Sequence, residues 1–330
     1  MINLNHQTIL ISRVDSIGDV VLTLPLCVWI KEQFPDCKIV FLGNTYTKPV
    51  ISCLPEVDEI IEWKELQNLT AQEQINFIKQ LNIDVCLHVF PKKEVAQLTK
   101  QAQIKKRIGT SHRLFHWFTC NVRLNFSRKN SDLHESQLNF ELLKPFGLTT
   151  IPTLENIATM MQSFKAPQVD LPDEITQALQ KNLPKVILHT KSQGSAVEWP
   201  LEKYTQLANQ LLKNGYQVFY TGTEQEGSLI RSSIPYHTNC IDTTGKMNLS
   251  QLINFISQCE TLVACSTGPM HLSGILGLKT IGLFSSIKPI HPGRWSALGK
   301  NVTNIVSPTL QPKTIAAIEV DDILAAIINA

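Results

Sequence analysis

Short apolar runs alternate with amphipathic stretches from the start of the chain. Residues 7–13, 37–43, 58–63 and 84–90 gather aliphatic and β-branched residues over a strand's length, and the stretches 18–33 and 70–81 between them carry helical spacing. This alternation predicts βαβ units around a parallel sheet. From Thr150 to Asp173 the pattern lapses around Pro152, Pro167 and Pro172, which marks a linker. A second alternation follows, with strands expected at 185–190, 217–222, 240–243, 261–266 and 280–285 and helices near 201–214, 248–258 and 268–276. Apolar strands without polar interruption suit sheets buried on both faces. The expectation is an α/β chain of two doubly wound domains, residues 1–165 and 166–330.

Composition narrows the class. A chain of 330 residues exceeds the reach of one ordinary core, which favours two domains. The N-terminal apolar run is too short for a signal peptide and lacks a basic segment before it, and no stretch approaches the ~18–20 apolar residues of a spanning helix. Export and membrane insertion are therefore not expected, and the chain is expected in the cytoplasm. The eight Cys stand singly, with no C-x-x-C pair, so neither disulfides nor a metal site is expected, nor any cofactor or nucleic-acid partner. Net charge is only +2, yet Lys92–Lys129 holds ten Lys and Arg against the single acid Glu94. Such a run is either a solvated face or a site for an anionic partner, with His112, Phe115, His116 and Trp117 interleaved as apolar footing.

Three turns carry candidate chemistry. In Ser12–Val21 a strand passes into a helix, with Gly18 giving the backbone room and Asp19 in the first helical turn, where a carboxylate serves either as a cap or as a catalyst. This turn has neither G-x-G-x-x-G nor a P-loop pattern. In Ala264–Leu272 a strand ends in Ser266, Thr267 and Gly268, and Pro269 suits a first helical turn, whose free N–H groups would hold an anion such as a pyrophosphate. His271 there either bonds phosphate or is a satisfied helix histidine. In Gly222–Glu226, Glu226 is either a ribose acceptor or an acidic helix start.

Together, R-x-D-x-I-G-D-V-V-L-T-x-P (Arg13–Pro25), E-W-P-L-E-K-Y (Glu198–Tyr204), G-T-E-Q-E (Gly222–Glu226), S-T-G-P-M-H-L (Ser266–Leu272) and I-x-P-x-H-P-G-R-W-S (Ile287–Ser296) resemble glycosyltransferase family nine, the ADP-heptose heptosyltransferases. The resemblance implies a GT-B fold, two Rossmann-like domains facing a cleft, the N-terminal one for acceptor and the C-terminal one for nucleotide sugar. It also implies inverting, metal-independent transfer of heptose from ADP-L-glycero-β-D-manno-heptose to the inner core of lipopolysaccharide. Asp19 falls on the family's general base, Thr267, Gly268, Pro269, Met270 and His271 on its donor pyrophosphate site, and Glu226 on its ribose-contacting acid.

The sequence departs from the family at Ser266, where an Asp that touches the sugar is usual, and at Val197, where a basic residue often meets phosphate. Lys191, Lys288 or Arg294 is the expected source of the missing positive charge. These departures keep two alternatives in view, a transferase using another nucleotide sugar and a catalytically weak nucleotide-sugar binding protein. An acceptor bearing carboxylates and phosphates would give the basic run its purpose, with Arg107, Arg113 and Arg123 as two-point contacts and Lys105 and Lys106 as diffuse attraction. Peripheral contact with the anionic cytoplasmic face of the inner membrane follows from the same reading.

Overall fold

The fold is that of a computed structural model, which describes residues 1–129, 131–310 and 314–328. The chain divides into two compact units, Met1–Phe164 and Lys165–Ala330. The first carries strands β1 (Thr8–Ser12), β2 (Lys38–Gly43), β3 (Glu59–Glu62), β4 (Val85–His88), β5 (Lys106–Thr110) and β6 (Val122–Leu124), in spatial order β3-β2-β1-β4-β5-β6. The second carries β7 (Lys185–His189), β8 (Gln217–Thr221), β9 (Cys240–Asp242), β10 (Thr261–Cys265), β11 (Lys279–Phe284) and β12 (Val302–Val306), in order β12-β11-β10-β7-β8-β9. Every strand pairing in both sheets is parallel.

Burial explains why these segments are strands. Along β1, Leu10 joins Val40, Cys86, Val95 and Leu98 in one core cluster, while Ile9 and Ile11 point to the other face and are equally buried. Successive side chains face opposite ways in a strand, so both faces of the sheet are covered. In the second unit Trp199, from the E-W-P motif, is a core anchor. Its indole N–H donates to the carbonyl of Ile318 at 3.1 Å, just ahead of the last helix, Val320–Ile328. That helix packs on Leu201–Lys213, which follows Pro200.

The chain order gives each sheet one place where connections leave in opposite directions. In the first sheet it lies between β1 and β4, in the second between β7 and β10. Ligands of open α/β sheets bind at the carboxyl ends of the strands beside such a point.

Three expectations need correcting. The stretch 18–33 is two helices, Ile17–Val21 and Pro25–Gln33, because Pro25 lacks the N–H a continuous helix would need and starts a new one. The expected linker holds a helix, Leu154–Met160, capped by Thr153, whose hydroxyl accepts from the Asn156 amide at 3.2 Å. Strands β5, β6 and β12 were not expected from the pattern. β5 opens on two basic residues, β6 is three residues long at an edge, and β12 is an edge strand whose residues are mostly half-buried. Among the described residues no helix is long and apolar enough to cross a membrane.

Candidate active site

Arg13 directly follows β1 and is almost fully buried at the β1/β4 switch point. Its amide extends the ladder by donating to the Leu42 carbonyl at 3.0 Å. Its guanidinium addresses three carboxylates: Nε donates to Asp15 Oδ1 at 2.8 Å, Nη2 to Asp19 Oδ1, and Nη1 to Glu135 Oε1 at 3.4 Å. Arg128 adds a second cation, donating to Glu135 Oε1 at 3.0 Å, to Asn139 Oδ1 at 2.8 Å and to the Val89 carbonyl just beyond β4 at 3.2 Å. Asn139 in turn donates to the carbonyl of Leu22 at 3.0 Å, and Thr23 donates to the carbonyl of Asp19 at 2.8 Å. The turn carrying Asp19 is thus tied through side chains to the helix Glu135–Phe140.

Asp19 is the third residue of the helix Ile17–Val21, the position a capping box would use, yet the N-cap Ser16 makes no side-chain cap bond. Instead Ser16 Oγ donates to Asp19 Oδ2 at 2.5 Å while Arg13 takes the other oxygen. The carboxylate is oriented by side chains and is 19% exposed, so it is reachable from solvent. Burial pushes the Asp15 carboxyl up to about 7, opposed by Arg13 and reinforced by Asp19 and Glu135. For Arg13, burial favours the neutral form, but Asp15, Asp19 and Glu135 outweigh it and hold the guanidinium above its ordinary value.

In the second unit the expected donor residues gather at the carboxyl ends of β7, β8 and β10. Thr267 is the N-cap of the helix Gly268–Ile275, with Pro269 at its second position. Helix geometry leaves the first N–H groups without intrahelical partners, so Gly268 and Met270 present theirs while Pro269 has none to present. His271, also almost buried, turns its amide back to the Thr267 carbonyl at 3.3 Å, and Ser266 is half-buried at the strand's end. The buried hydroxyl of Thr267 has no hydrogen-bond partner among the described residues, and the same holds for Thr190, directly after β7. These two hydroxyls stand beyond the neighbouring strands β10 and β7, on the two sides of the switch point.

Lys191 is held in an ion pair, its Nζ donating to Glu198 Oε2 at 2.9 Å. Burial works against the Glu198 charge, but Lys191 and the amide and hydroxyl of Ser192 hold its pKa below the ordinary range. Val197 is half-buried and packs against the apolar core. Arg294 is buried with its guanidinium 5.6 Å from the Trp295 ring centre, whereas Lys288 is exposed. Glu226 forms a capping box: its Oε2 accepts from the Thr223 amide at 2.7 Å and hydroxyl at 3.0 Å, while its own amide donates to Thr223 Oγ1 at 3.2 Å. Here the acidic helix start is what the geometry displays.

The basic run splits. Lys106 opens β5 and pairs with Val85, which pairs with Ile9, so Lys105 and Lys106 lie at the amino edge of the sheet, opposite the edge where Asp19 follows β1. Arg107 is one residue further on, with Nε donating to the Thr119 carbonyl at 2.6 Å and Nη1 to the Ile104 carbonyl, so its guanidinium braces the chain. The strand therefore does not bring Lys105 and Lys106 to the edge where Asp19 stands, and Arg107 spends two of its guanidinium nitrogens on carbonyls of its own unit. Arg113 follows the carboxyl end of β5 and is exposed. Arg123, in the edge strand β6, stacks 4.8 Å from the Trp117 ring centre and donates to the Cys120 carbonyl at 2.7 Å. Reading the sequence passed over Arg13, Thr190, Glu135 and Asn139 as site residues. The R-x-D opening of the first motif was a signal for Arg13, whereas nothing local ties Glu135 to a residue 122 positions earlier.

Comparison with known proteins fits this geometry. Lipooligosaccharide heptosyltransferase 2 of Haemophilus influenzae is 22% identical over 297 residues, 86% of this chain and 84% of its own length. The crystal structure of a family 9 glycosyl transferase from Veillonella parvula superposes with a TM-score of 0.81 at 17% identity, covering 99% of this chain and 98% of the other. The E. coli ADP-heptose lipopolysaccharide heptosyltransferase II superposes with a TM-score of 0.73 at 18% identity over 98% and 99% of the two chains. The two doubly wound units are the GT-B fold of these neighbours. The profile of glycosyltransferase family 9 (heptosyltransferase) matches residues 75–318, and the chain belongs to that family.

Proposed function

We propose that the protein transfers a heptose from ADP-L-glycero-β-D-manno-heptose to the inner core of lipopolysaccharide, with inversion and with Asp19 as general base. The observation that carries this reading is the Asp19 carboxylate: it sits at a switch point, is reachable from solvent and is aimed by Arg13 and Ser16 rather than tied up as a helix cap. Asp19 takes the proton of an acceptor hydroxyl as that oxygen bonds to the anomeric carbon. The bond from that carbon to the ADP oxygen breaks on the opposite face, and ADP leaves with its electron pair. The N–H groups of Gly268 and Met270, the Thr267 hydroxyl and His271 bind the pyrophosphate, a preorganised stabilisation of the leaving charge. Ser266 lies beside the sugar, Lys191 supplies a cation once it exchanges Glu198 for phosphate, and Glu226 contacts the ribose on leaving its cap. Arg113 and Arg123 meet the acidic acceptor, at the cytoplasmic face of the inner membrane.

The relatives named for lipooligosaccharide and ADP-heptose support the choice of donor and acceptor. The experiment is incubation with ADP-heptose and truncated core lipopolysaccharide, with mass analysis of the product, with and without EDTA. A gain of one heptose in both conditions supports the reading, and a rate lost in EDTA and restored by a divalent cation contradicts metal independence. Ser266 and Val197 favour a second reading, in which another nucleotide sugar is the donor. Transfer from such a donor in the same assay, with none from ADP-heptose, establishes it instead, and binding without turnover of any donor marks a nucleotide-sugar binding protein.

A further inference from the structure

The helix Leu114–Thr119 presents its apolar side outward. Leu114, Trp117 and Phe118 share one face by their i, i+3, i+4 spacing and are 78%, 56% and 69% exposed, while His116 and Thr119 on the other side are buried. Single exposed apolar residues are ordinary, but three contiguous large ones mark a contact surface. The Trp117 indole N–H already donates to the Ser111 carbonyl at 2.9 Å, so its ring can leave water without stranding a donor. Cations rim the patch: Arg113 directly precedes it, and Arg123 stacks on Trp117 with guanidinium N–H groups beyond the one given to Cys120. Lys105 and Lys106 lie at the other edge of the sheet, so the positive charge beside this face is that of Arg113 and Arg123.

We propose that this face inserts into the boundary between headgroups and acyl chains of an anionic lipid bilayer, with Leu114, Trp117 and Phe118 in the apolar layer and Arg113 and Arg123 at headgroup level, where the anionic groups of lipid and of a lipid-anchored acceptor lie together. Apolar anchors rimmed by Arg are the chemistry of interfacial helices, and the two rim guanidinium groups complement a negative leaflet. A second copy of the chain would fit less well, since it would bring its own Arg113 and Arg123 against the same two cations. The helix starts at the carboxyl edge of the first sheet, two strands from the one that Asp19 follows. Insertion there sets the base's edge of the sheet close to the surface in which a lipid-anchored acceptor lies. The proposal rests on the reading of the acceptor only for this consequence, since bilayer binding itself needs neither donor nor acceptor.

The test is flotation of the full chain with vesicles of phosphatidylglycerol and phosphatidylethanolamine, against vesicles of phosphatidylcholine alone, without donor or acceptor. The wild type is expected to float with the anionic vesicles, and Leu114→Gln/Phe118→Gln to lower partitioning by about ten-fold or more with an unchanged unfolding midpoint. Lipids brominated on the acyl chains should quench tryptophan fluorescence in the wild type but far less in Trp117→Phe. Equal flotation of wild type and double variant, or quenching indifferent to Trp117→Phe, overturns the proposal. So does a wild type that dimerises in solution through this face and ignores vesicles. Absent heptosyl transfer with intact flotation would sink the proposed function alone, so the two failures are distinguishable.

Discussion

The guanidinium of Arg13 and the carboxylate of Glu135 meet at 3.4 Å across 122 positions of sequence, and the turn that holds Asp19 is fixed between them. Arg13 is buried with its Nε and both Nη atoms directed at different acids, so its removal would leave Glu135 and part of Asp15 buried without a full complement of donors. Breaking one partner of a buried charge network typically costs about 3–5 kcal/mol. Arg13→Gln should lose stability of that order in denaturant unfolding. Arg13→Lys should recover only part, since one ammonium cannot reproduce three directed contacts. A variant as stable as the wild type would show that the network contributes nothing net.

Asp15 supplies a test with the opposite sign. Its folded pKa of about 7 lies above the ordinary 3.8, so the folded state binds the extra proton between these values and stability falls as pH rises through that window. Asp15→Asn keeps an oxygen for Arg13 and has no proton to lose. The variant should therefore unfold at a higher temperature than the wild type at pH 8, with the gap narrowing as pH falls towards 4. A gap that does not change with pH would refute the assignment.

His88, at the end of β4, is held neutral by burial, with His116 and Arg107 adding to the effect, and its pKa falls to about 3. Here the unfolded state binds the extra proton, so stability is fully present above about 6.5 and is lost as pH falls towards 3. One such proton is worth about 1.4 kcal/mol per pH unit within the window. Thermal unfolding of His88→Gln between pH 4 and 6.5 should show a slope of stability against pH reduced by about that amount. Equal slopes in both proteins would place the titration elsewhere.

The split of the basic run predicts unequal effects of charge reversal. Arg113→Glu should raise the acceptor KM several-fold, more at low salt, because exposed charges act over about 8–10 Å at physiological ionic strength. Lys105→Glu/Lys106→Glu, at the other edge of the sheet, should leave it near the wild-type value. Steady-state kinetics with varied acceptor decide this, and the reverse ranking would contradict the edge assignment.

Most of the two sheets was legible because their inner strands are buried on both faces and leave continuous apolar runs. Thr8–Ser12, Val85–His88 and Thr261–Cys265 each fall inside the run read from the pattern. Edges were not legible, since β6 and β12 lack that burial and therefore that signature. At the candidate site, the motif turns marked Asp19 and Thr267–His271, but charge counting treated Lys92–Lys129 as one surface. A strand crosses that run, and Lys106 and Arg113 leave it at opposite ends. The Glu135 and Asn139 contacts depend on chain topology and leave no local spacing to read.

The central claim is that Asp19 is the base, and it is tested most directly by the rate of heptose transfer in Asp19→Asn, measured together with ADP binding by titration calorimetry. A positioned base contributes about 10²–10⁴-fold, so transfer should fall by that factor. ADP binding, assigned to the second unit, and the unfolding midpoint should stay close to wild type, because the Asn side chain retains an oxygen for Arg13. An Asp19→Asn protein that transfers heptose at more than about a tenth of the wild-type rate would contradict the account.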